Sequence, residues 1–263
     1  MAAQQLIAPR FAVRGVPVFM YHGVGASVAD LGRYTTSLSD FREQLAFLRD
    51  HQVSVQELDN LAGEHTGRHA VLTFDDGLAS QYELALPALL EHGVGATFFV
   101  TTALVGCAGY VTWSQLREMS AAGMTIGSHG YRHIDYTGLP IAAAKSELLR
   151  SRTDLEDRLG KAATTFSAPY GFLNRALTSA ARETGFLRIC SSLPWLATAQ
   201  ADVFSRLAIY GDTTLAEFSS LAMRNAWPLL ARRTRNALLH LPKQLLRRTS
   251  PSKLGVNVGE VAK

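Results

Sequence analysis

The chain has 263 residues, of which 47% are apolar and 18% charged, and its formal net charge is +4. This length and composition are typical of one folded α/β domain, and no apolar run is long enough to predict a membrane-spanning helix. Residues 228–263 hold eight basic residues and one acid, whereas residues 1–227 hold 18 basic and 21 acidic residues. The excess positive charge therefore lies outside the predicted body, which argues against a basic nucleic-acid-binding domain.

The two cysteines, Cys107 and Cys190, are too few for a disulfide framework or a four-cysteine zinc site. Their apolar surroundings predict buried free thiols. The first 15 residues contain no continuous apolar core of the kind that a secretory signal peptide needs. We therefore expect a cytoplasmic protein.

Short apolar segments alternate with helix-length segments, an order that predicts parallel strands in a barrel or a doubly wound sheet. The predicted strands are residues 16–21, 53–55, 70–74, 96–101, 124–128, 164–168, 186–190 and 205–210. The predicted helices are residues 40–51, 81–92, 113–122, 141–159, 174–184 and 215–226. Ser39 is the predicted N-cap of the first helix, and Gly93, Gly123, Gly160 and Gly185 each follow a helix, where a left-handed residue is expected. In either architecture the chemistry collects at the carboxyl ends of the strands.

Two adjacent carboxylates, Asp75 and Asp76, end an apolar predicted strand in the segment TFDDG. Like charges this close raise each other's pKa unless a cation or hydrogen bonds compensate. Because side chains alternate along a strand, one carboxylate can bind a metal while the other stays free as a base. The alternative is an ordinary turn, since Asp-Gly is a common turn dipeptide.

Two histidines four residues apart, His129 and His133, follow the predicted strand 124–128. Such a pair can share a metal, and Gly127 and Gly130 favour a loop at the strand end. An acidic pair and a histidine pair that end strands of one parallel sheet converge on one face. One aspartate with two histidines leaves coordination positions open to water, the pattern of a catalytic divalent-metal site.

Two further segments end predicted strands. In SAPYG, Pro169 and Tyr170 lie in a loop whose backbone N–H groups could stabilise an oxyanion, although an ordinary strand-to-helix turn is the simpler interpretation. In MYHGV, His22 could act as a general acid beside a metal site, the alternative being a packed or surface histidine.

Over roughly residues 16–222, the chain resembles the polysaccharide deacetylases of carbohydrate esterase family 4. The segments that carry the resemblance are, in chain order, TFDDG, ATFFVT, the segment from VTW to YRH and SAPYG. The resemblance implies a single domain with a distorted (β/α)7-type barrel and the removal of N-acetyl groups from sugars. It implies that Asp75 is the general base and that Asp76, His129 and His133 hold a divalent metal, usually zinc. It also implies that Pro169 and Tyr170 line the groove, where the Tyr170 N–H helps to hold the oxyanion.

The chain departs from the family pattern at several positions. The family usually has Ser or Thr where Gly130 stands, and often has an arginine that pairs with the base where Ser167 stands. A family motif near the C-terminus supplies the general acid, and His240 matches it loosely. The N-terminal MYH is instead similar to the branch of poly-N-acetylglucosamine deacetylases in which the acid histidine comes first. We therefore predict His22 rather than His240 as the acid.

The residues and the resemblance together predict a metal-dependent hydrolase, with zinc as the favoured metal, that removes N-acetyl groups from a sugar or polysaccharide, free or lipid-linked. One alternative keeps the fold and metal but acts on another linear amide, a formamide or a cyclic imide. The other is a carbohydrate-binding protein without catalysis. We divide the chain into an arm at 1–15, a catalytic domain at 16–227 and a basic amphipathic tail at 228–263. The tail is interpreted as solvated, as a peripheral contact with the inner membrane surface or, least favoured, as a nucleic-acid contact.

Overall fold

The computed structural model describes residues 13–25, 32–62 and 67–235. The strands are β1 (Val18–Tyr21), β2 (Gly23–Gly25), β3 (Thr35–Ser37), β4 (Ser54–Val55), β5 (His69–Phe74), β6 (Thr97–Val100), β7 (Thr125–Ser128), β8 (Thr165–Ser167), β9 (Arg188–Cys190) and β10 (Leu207–Ala208). The helices are α1 (Leu38–Asp50), α2 (Leu86–Glu91), α3 (Trp113–Ala121), α4 (Ile141–Leu159), α5 (Arg175–Glu183) and α6 (Leu215–Ala222). A π-helical turn, Gln81–Ala85, leads into α2. Every predicted strand and helix is present, with its ends shifted by a few residues.

The main sheet is parallel throughout, with strand order β10–β1–β5–β6–β7–β8–β9 and with β4 paired to β5. A parallel bridge joins Cys190 at the end of β9 to Phe204, so the sheet curls round towards β10. The curled half-barrel with its surrounding helices confirms the predicted single-domain α/β barrel. The short parallel pair β2 and β3 lies outside this sheet and was not predicted.

Aromatic side chains fill the space between the sheet and its helices. Tyr21 of β1 stacks on Phe74 of β5 at 5.2 Å between ring centroids, and Phe74 stacks on Phe98 of β6 at 4.7 Å. Phe41 of α1 meets Tyr21 edge-on at 5.2 Å. All four side chains are fully buried, as expected of parallel strands covered on both faces. Truncating one of them to alanine would cost about 3–5 kcal/mol.

The helix ends follow the predicted chemistry with one correction. The four glycines predicted to end helices all have positive φ, which confirms their role. The N-cap of α1 is Ser37 rather than Ser39, because the Ser37 hydroxyl accepts a hydrogen bond from the Asp40 N–H at 3.0 Å.

Cys190 is buried as predicted, but Cys107 is exposed, so that part of the prediction is wrong. It lies in the loop before α3, where the apolar neighbours in sequence do not cover it.

The strand register brings the candidate site together. β1 and β5 end opposite each other, since Tyr21 pairs with Phe74, and β6 and β7 also end at paired residues. The backbone N–H of Asp75 donates to the Tyr21 carbonyl at 2.9 Å. His22, Asp75 and His129, which directly follow three of these strands, therefore emerge at one edge of the sheet.

The chain beyond α6 continues as a helix over residues 226–235. Leu229 is fully buried in the core, and Arg232 donates to the carboxylate of Glu217 in α6 at 2.8 Å. The remaining tail, residues 236–263 with the predicted acid alternative His240, lies outside the described residues, as does the arm at residues 1–12. No helix in the described ranges is long and apolar enough to cross a membrane.

Candidate active site

Three predicted metal ligands meet at the carboxyl edge of the sheet. Asp76 follows β5, and His129 and His133 lie in the loop after β7. Asp76 Oδ1 is 3.4 Å from His129 Nε2 and 3.3 Å from His133 Nε2. One donor atom from each residue lies within 4.8 Å of the others, and in the described parts of the chain this is the cluster suited to hold a metal ion.

The donor groups fit a divalent cation. Asp76 Oδ1 is buried and makes no hydrogen bond, although both imidazoles face it. Burial lowers the pKa of His129 to about 4, so its ring is neutral at pH 7, the form that binds metals. Burial raises the pKa of Asp76, but the imidazoles of His133 and His129 beside its carboxylate lower it by more. A carboxylate with two imidazoles, one side of the set still accessible, suits zinc.

The loop that carries the histidines is braced around Gly130. Gly130 has φ +83°, and a Cβ atom there would lie 2.2 Å from the Tyr136 hydroxyl oxygen. Tyr136 occupies this space and donates to the Arg132 carbonyl at 2.9 Å, while the Gly130 N–H donates to Ser128 Oγ at 2.9 Å. Gly130, which stands where the family usually has Ser or Thr, therefore leaves room for Tyr136, and hydrogen bonds from Tyr136 and to Ser128 hold the loop.

Asp75, the neighbour of the metal ligand, is held by a buried arginine. Arg206 Nη1 and Nη2 each donate to one Asp75 carboxylate oxygen at 2.7 Å, and both side chains are almost completely buried. Arg206 also donates to Ser167 Oγ at 2.7 Å and to the Ser191 carbonyl at 3.1 Å. Burial raises the pKa of Asp75, but Arg206, with smaller help from His129 and His22, holds it well below the usual range. Asp75 is therefore a carboxylate over the whole neutral range.

Arg206 was missed by the sequence analysis, which noted only that Ser167 stands where the family often has an arginine. In the structure, Ser167 does not leave the base unpaired, because Arg206 reaches the same carboxylate from the segment before β10. The available signal was a lone charge inside the apolar predicted strand 205–210. Buried charges are retained only when paired, and Asp75 is the matching buried acid.

His22 lies at the end of β1, beside the two aspartates. Its Nδ1 is buried and has no hydrogen-bond partner among the described residues. Gln81, in the π-helical turn, donates through Nε2 to the His22 carbonyl at 3.0 Å and to the Asp75 carbonyl at 2.5 Å. This single amide ties the backbone that carries the predicted acid to the backbone that carries the predicted base.

Pro169 and Tyr170 form a turn on the other side of the metal ligands. Pro169 is buried, and Tyr170 has φ +60° and is 55% exposed. The Tyr170 ring meets the His133 ring edge-on at 4.5 Å, and its hydroxyl donates to the His133 carbonyl at 3.4 Å. A Cβ atom at Gly171 would lie 2.3 Å from Ser192, so the tight turn needs glycine there. The structure therefore brings every predicted site residue within the described ranges to one face.

Comparisons with known proteins point to one family. The polysaccharide deacetylase family model matches residues 62–189. A putative polysaccharide deacetylase of Bacillus subtilis, YxkH, is 25% identical over 177 residues, which cover 65% of this chain and 62% of that protein. A chitin deacetylase of Pestalotiopsis sp. is 35% identical over 115 residues, which cover 44% of this chain and 38% of that protein. The chain thus spans less than two thirds of the length of these curated relatives.

Among solved structures, IcaB from Ammonifex degensii superposes with a TM-score of 0.71 at 28% sequence identity, covering 83% of this chain and 98% of that chain. The match extends well beyond the residues of the family model, over most of the barrel. The grouping with the branch that begins with MYH stays a prediction. Residues 62–189 thus match the polysaccharide deacetylases, a family of hydrolases that act on carbon–nitrogen bonds, and most of the chain shares the fold of IcaB.

Proposed function

We propose that this chain is a metal-dependent hydrolase that removes N-acetyl groups from an N-acetylated sugar or polysaccharide. The observation that supports this most directly is the pairing of two unlike carboxylates in one site. Asp75 is ionised and held by Arg206, while Asp76 faces two imidazoles with an oxygen that makes no hydrogen bond. The substrate class rests on the relatives, one described as a chitin deacetylase and one as a putative polysaccharide deacetylase.

Asp76, His129 and His133 would hold the metal, most plainly zinc given the donor set. When bound, such an ion supplies Lewis-acid activation of the amide carbonyl and of a water molecule. The reaction consumes one water and converts the acetamide into acetate and a free amine.

The chain's own residues supply the proton transfers. Asp75 accepts a proton from the attacking water, and Arg206 keeps the carboxylate ionised and fixed in orientation while it does so. His22 donates a proton to the leaving nitrogen, which departs poorly as an amide anion. The backbone N–H of Tyr170 stabilises the oxyanion, a contact of a kind whose loss costs about 3–4 kcal/mol.

The test is acetate release from a panel of N-acetylated chito-oligosaccharides by the full chain, with and without added zinc and after removal of metal by a chelator. We expect release that needs the metal. A formamide and a cyclic imide are offered in parallel. Release of formate or opening of the imide ring, with no acetate from the oligosaccharides, would favour the alternative amide substrates. Oligosaccharide binding without any release would favour the non-catalytic alternative.

The general acid is tested by comparing His22→Ala with His240→Ala. We expect His22→Ala to lower kcat/KM by about 10²–10⁴-fold on the amide substrate. The His240 variant serves as the matched control because that residue fits the family's acid motif only loosely. A large loss in His240→Ala with full activity in His22→Ala would overturn the assignment.

A further inference from the structure

The helix at residues 226–235 packs on the barrel with one face and leaves the other face open. Leu229 is fully buried in the core. Trp227, on the opposite side of the helix, is 81% exposed, and Leu230 is 47% exposed. Tryptophan is among the most buried residue types on average, so a ring this far out of the surface is unusual. The helix is therefore held to the barrel by one side and carries a tryptophan on the other.

The open face is an apolar stripe formed by Trp227, Leu230, Ala231 and Thr234. Their spacing of i, i+3, i+4 and i+7 places all four on one side of a helix. Ala231 and Thr234 are exposed like the two larger side chains. The Thr234 hydroxyl donates to the Leu230 carbonyl at 2.9 Å, so it needs no partner outside the helix. The whole stripe can therefore enter an apolar environment without leaving a polar group unpaired.

Arginines border the apolar stripe on both sides. Counted round the helix, Arg233 lies on one side of the stripe and Arg235 on the other. Both side chains are exposed, and neither makes an ion pair with another described residue. The Arg233 guanidinium lies 4.9 Å from the Trp195 ring. An apolar stripe between cations is the pattern of a helix that lies in the headgroup layer of a membrane.

Further unpaired positive charge lies beside the start of this helix. Arg14 and Arg224 line a cavity of about 260 Å³ that has no acidic side chain in its lining. The Val13 N–H donates to the Arg224 carbonyl at 3.1 Å, which joins the two segments. Neither guanidinium makes an ion pair within the described ranges. The positive surface therefore extends from the helix to the segments next to it.

Charge indicates which partner this surface fits. In the sequence, residues 236–263 hold five basic residues and one acid, and residues 1–12 hold no acid, so neither segment can neutralise the arginines. A second copy that docked on the same face about a twofold axis would bring the arginines of both copies together. An anionic partner is favoured instead. The sequence also repeats the spacing of the stripe at three leucines, Leu238, Leu241 and Leu245.

We propose that the apolar stripe and its bordering arginines dock on the surface of a membrane rich in anionic phospholipid. Trp227 and Leu230 enter the headgroup layer, while Arg233 and Arg235 contact lipid phosphates. The proposal uses no residue of the candidate active site, so it stands or falls independently of the proposed function.

The experiment is flotation of the full-length protein with lipid vesicles. One set is phosphatidylcholine alone, and the other is equal parts of phosphatidylcholine and phosphatidylglycerol. We expect partition into the mixed vesicles only, weakened by added salt. Trp227→Ala should lower this partition coefficient about tenfold, because the ring no longer enters the headgroup layer. Arg233→Gln combined with Arg235→Gln should lower it about 30-fold, since each basic residue near an anionic surface contributes about fivefold.

Matched control variants change exposed side chains on other helices. Leu149→Ala removes an exposed leucine of α4, and Arg117→Gln combined with Arg175→Gln removes two exposed arginines of α3 and α5. Partition of these controls should equal that of the wild type. Acetate release from a soluble oligosaccharide should be the same in Trp227→Ala as in the wild type.

Several outcomes would overturn the membrane proposal. They are no flotation of the wild-type protein with mixed vesicles, equal flotation with phosphatidylcholine alone, and a partition that Trp227→Ala leaves unchanged or that the controls lower equally. Sedimentation velocity gives a further check without lipid. A wild-type dimer that Trp227→Ala converts to a monomer would assign the apolar stripe to a contact between copies and overturn the assignment to lipid.

Discussion

Asp75 and Asp76 are neighbours in the chain, yet their surroundings differ in almost every respect. Asp75 directly follows β5 and is buried in the barrel, where Arg206 donates a hydrogen bond to each of its two carboxylate oxygens. Asp76 has φ +79°, so the chain turns at this residue and its carboxylate faces His129 and His133 instead. One carboxylate is neutralised by a fixed cation of the protein, and the other has an oxygen without a hydrogen bond.

This difference shows how one dipeptide can serve two chemical tasks. A carboxylate that is to accept a proton must stay ionised while it is buried, and a permanent cation achieves this. A carboxylate that is to bind a metal must keep an oxygen free of hydrogen bonds, with neutral donors beside it. Separating the two carboxylates also relieves their mutual repulsion.

The largest expected effect comes from removing the base. Asp75→Asn should lower kcat by about 10⁴-fold, because the amide does not accept the proton of the attacking water. Zinc affinity should stay close to that of the wild type, since Asp76, His129 and His133 are unchanged. Acetate release and zinc titration check the two parts, with Asp50→Asn, an exposed aspartate at the end of α1, as the control. Full activity in Asp75→Asn would show that Asp75 is not the base, and the two aspartates would then no longer have the separate roles assigned to them.

The next effect comes from removing the cation of the pair. Arg206→Met should destabilise the fold by about 3–5 kcal/mol, because Asp75 becomes a buried charge without its partner. Arg206 lowers the Asp75 pKa, so its loss raises that pKa, and the acid limb of the kcat/KM profile should move to higher pH.

Urea denaturation and a pH–rate profile measure these two consequences. The matched control is Arg42→Met, since Arg42 also contacts both oxygens of a carboxylate, that of Glu91, but on the exposed surface. Its loss should change stability little. An acid limb that stays in place in Arg206→Met would show that the arginine does not set the ionisation of Asp75.

A smaller effect, confined to metal binding, is expected from removing one of the two histidines that face Asp76. His133→Ala should weaken zinc binding by more than about 100-fold, since even partners behind the ligands contribute 10–100-fold. The fold should be retained, because His133 is partly exposed. Competition with a chromophoric chelator measures the affinity, and His51→Ala, at the end of α1, is the control. Equal zinc affinity in wild type and His133→Ala would show that this cluster does not hold the metal.

The sequence alone predicted the barrel strands and most of the site for a physical reason. Parallel strands buried on both faces are continuous apolar runs, and the residues that follow such runs lie at the same edge of the sheet. Asp75, Asp76, His129 and His22 could therefore be placed together from local patterns. The strands β2 and β3 were missed, since each has three residues and no alternating pattern that a window could detect.

Local patterns determined which groups reach the carboxyl edge of this barrel, because strand ends and helix caps depend on neighbours a few residues away. Tertiary structure alone decided how those groups are partnered. Arg206 meets Asp75 across 131 positions of the chain, and Tyr210 meets Tyr34 from another segment. Such contacts depend on how the sheet curls, and it is the curl that makes one aspartate a paired base and leaves the other open to a metal.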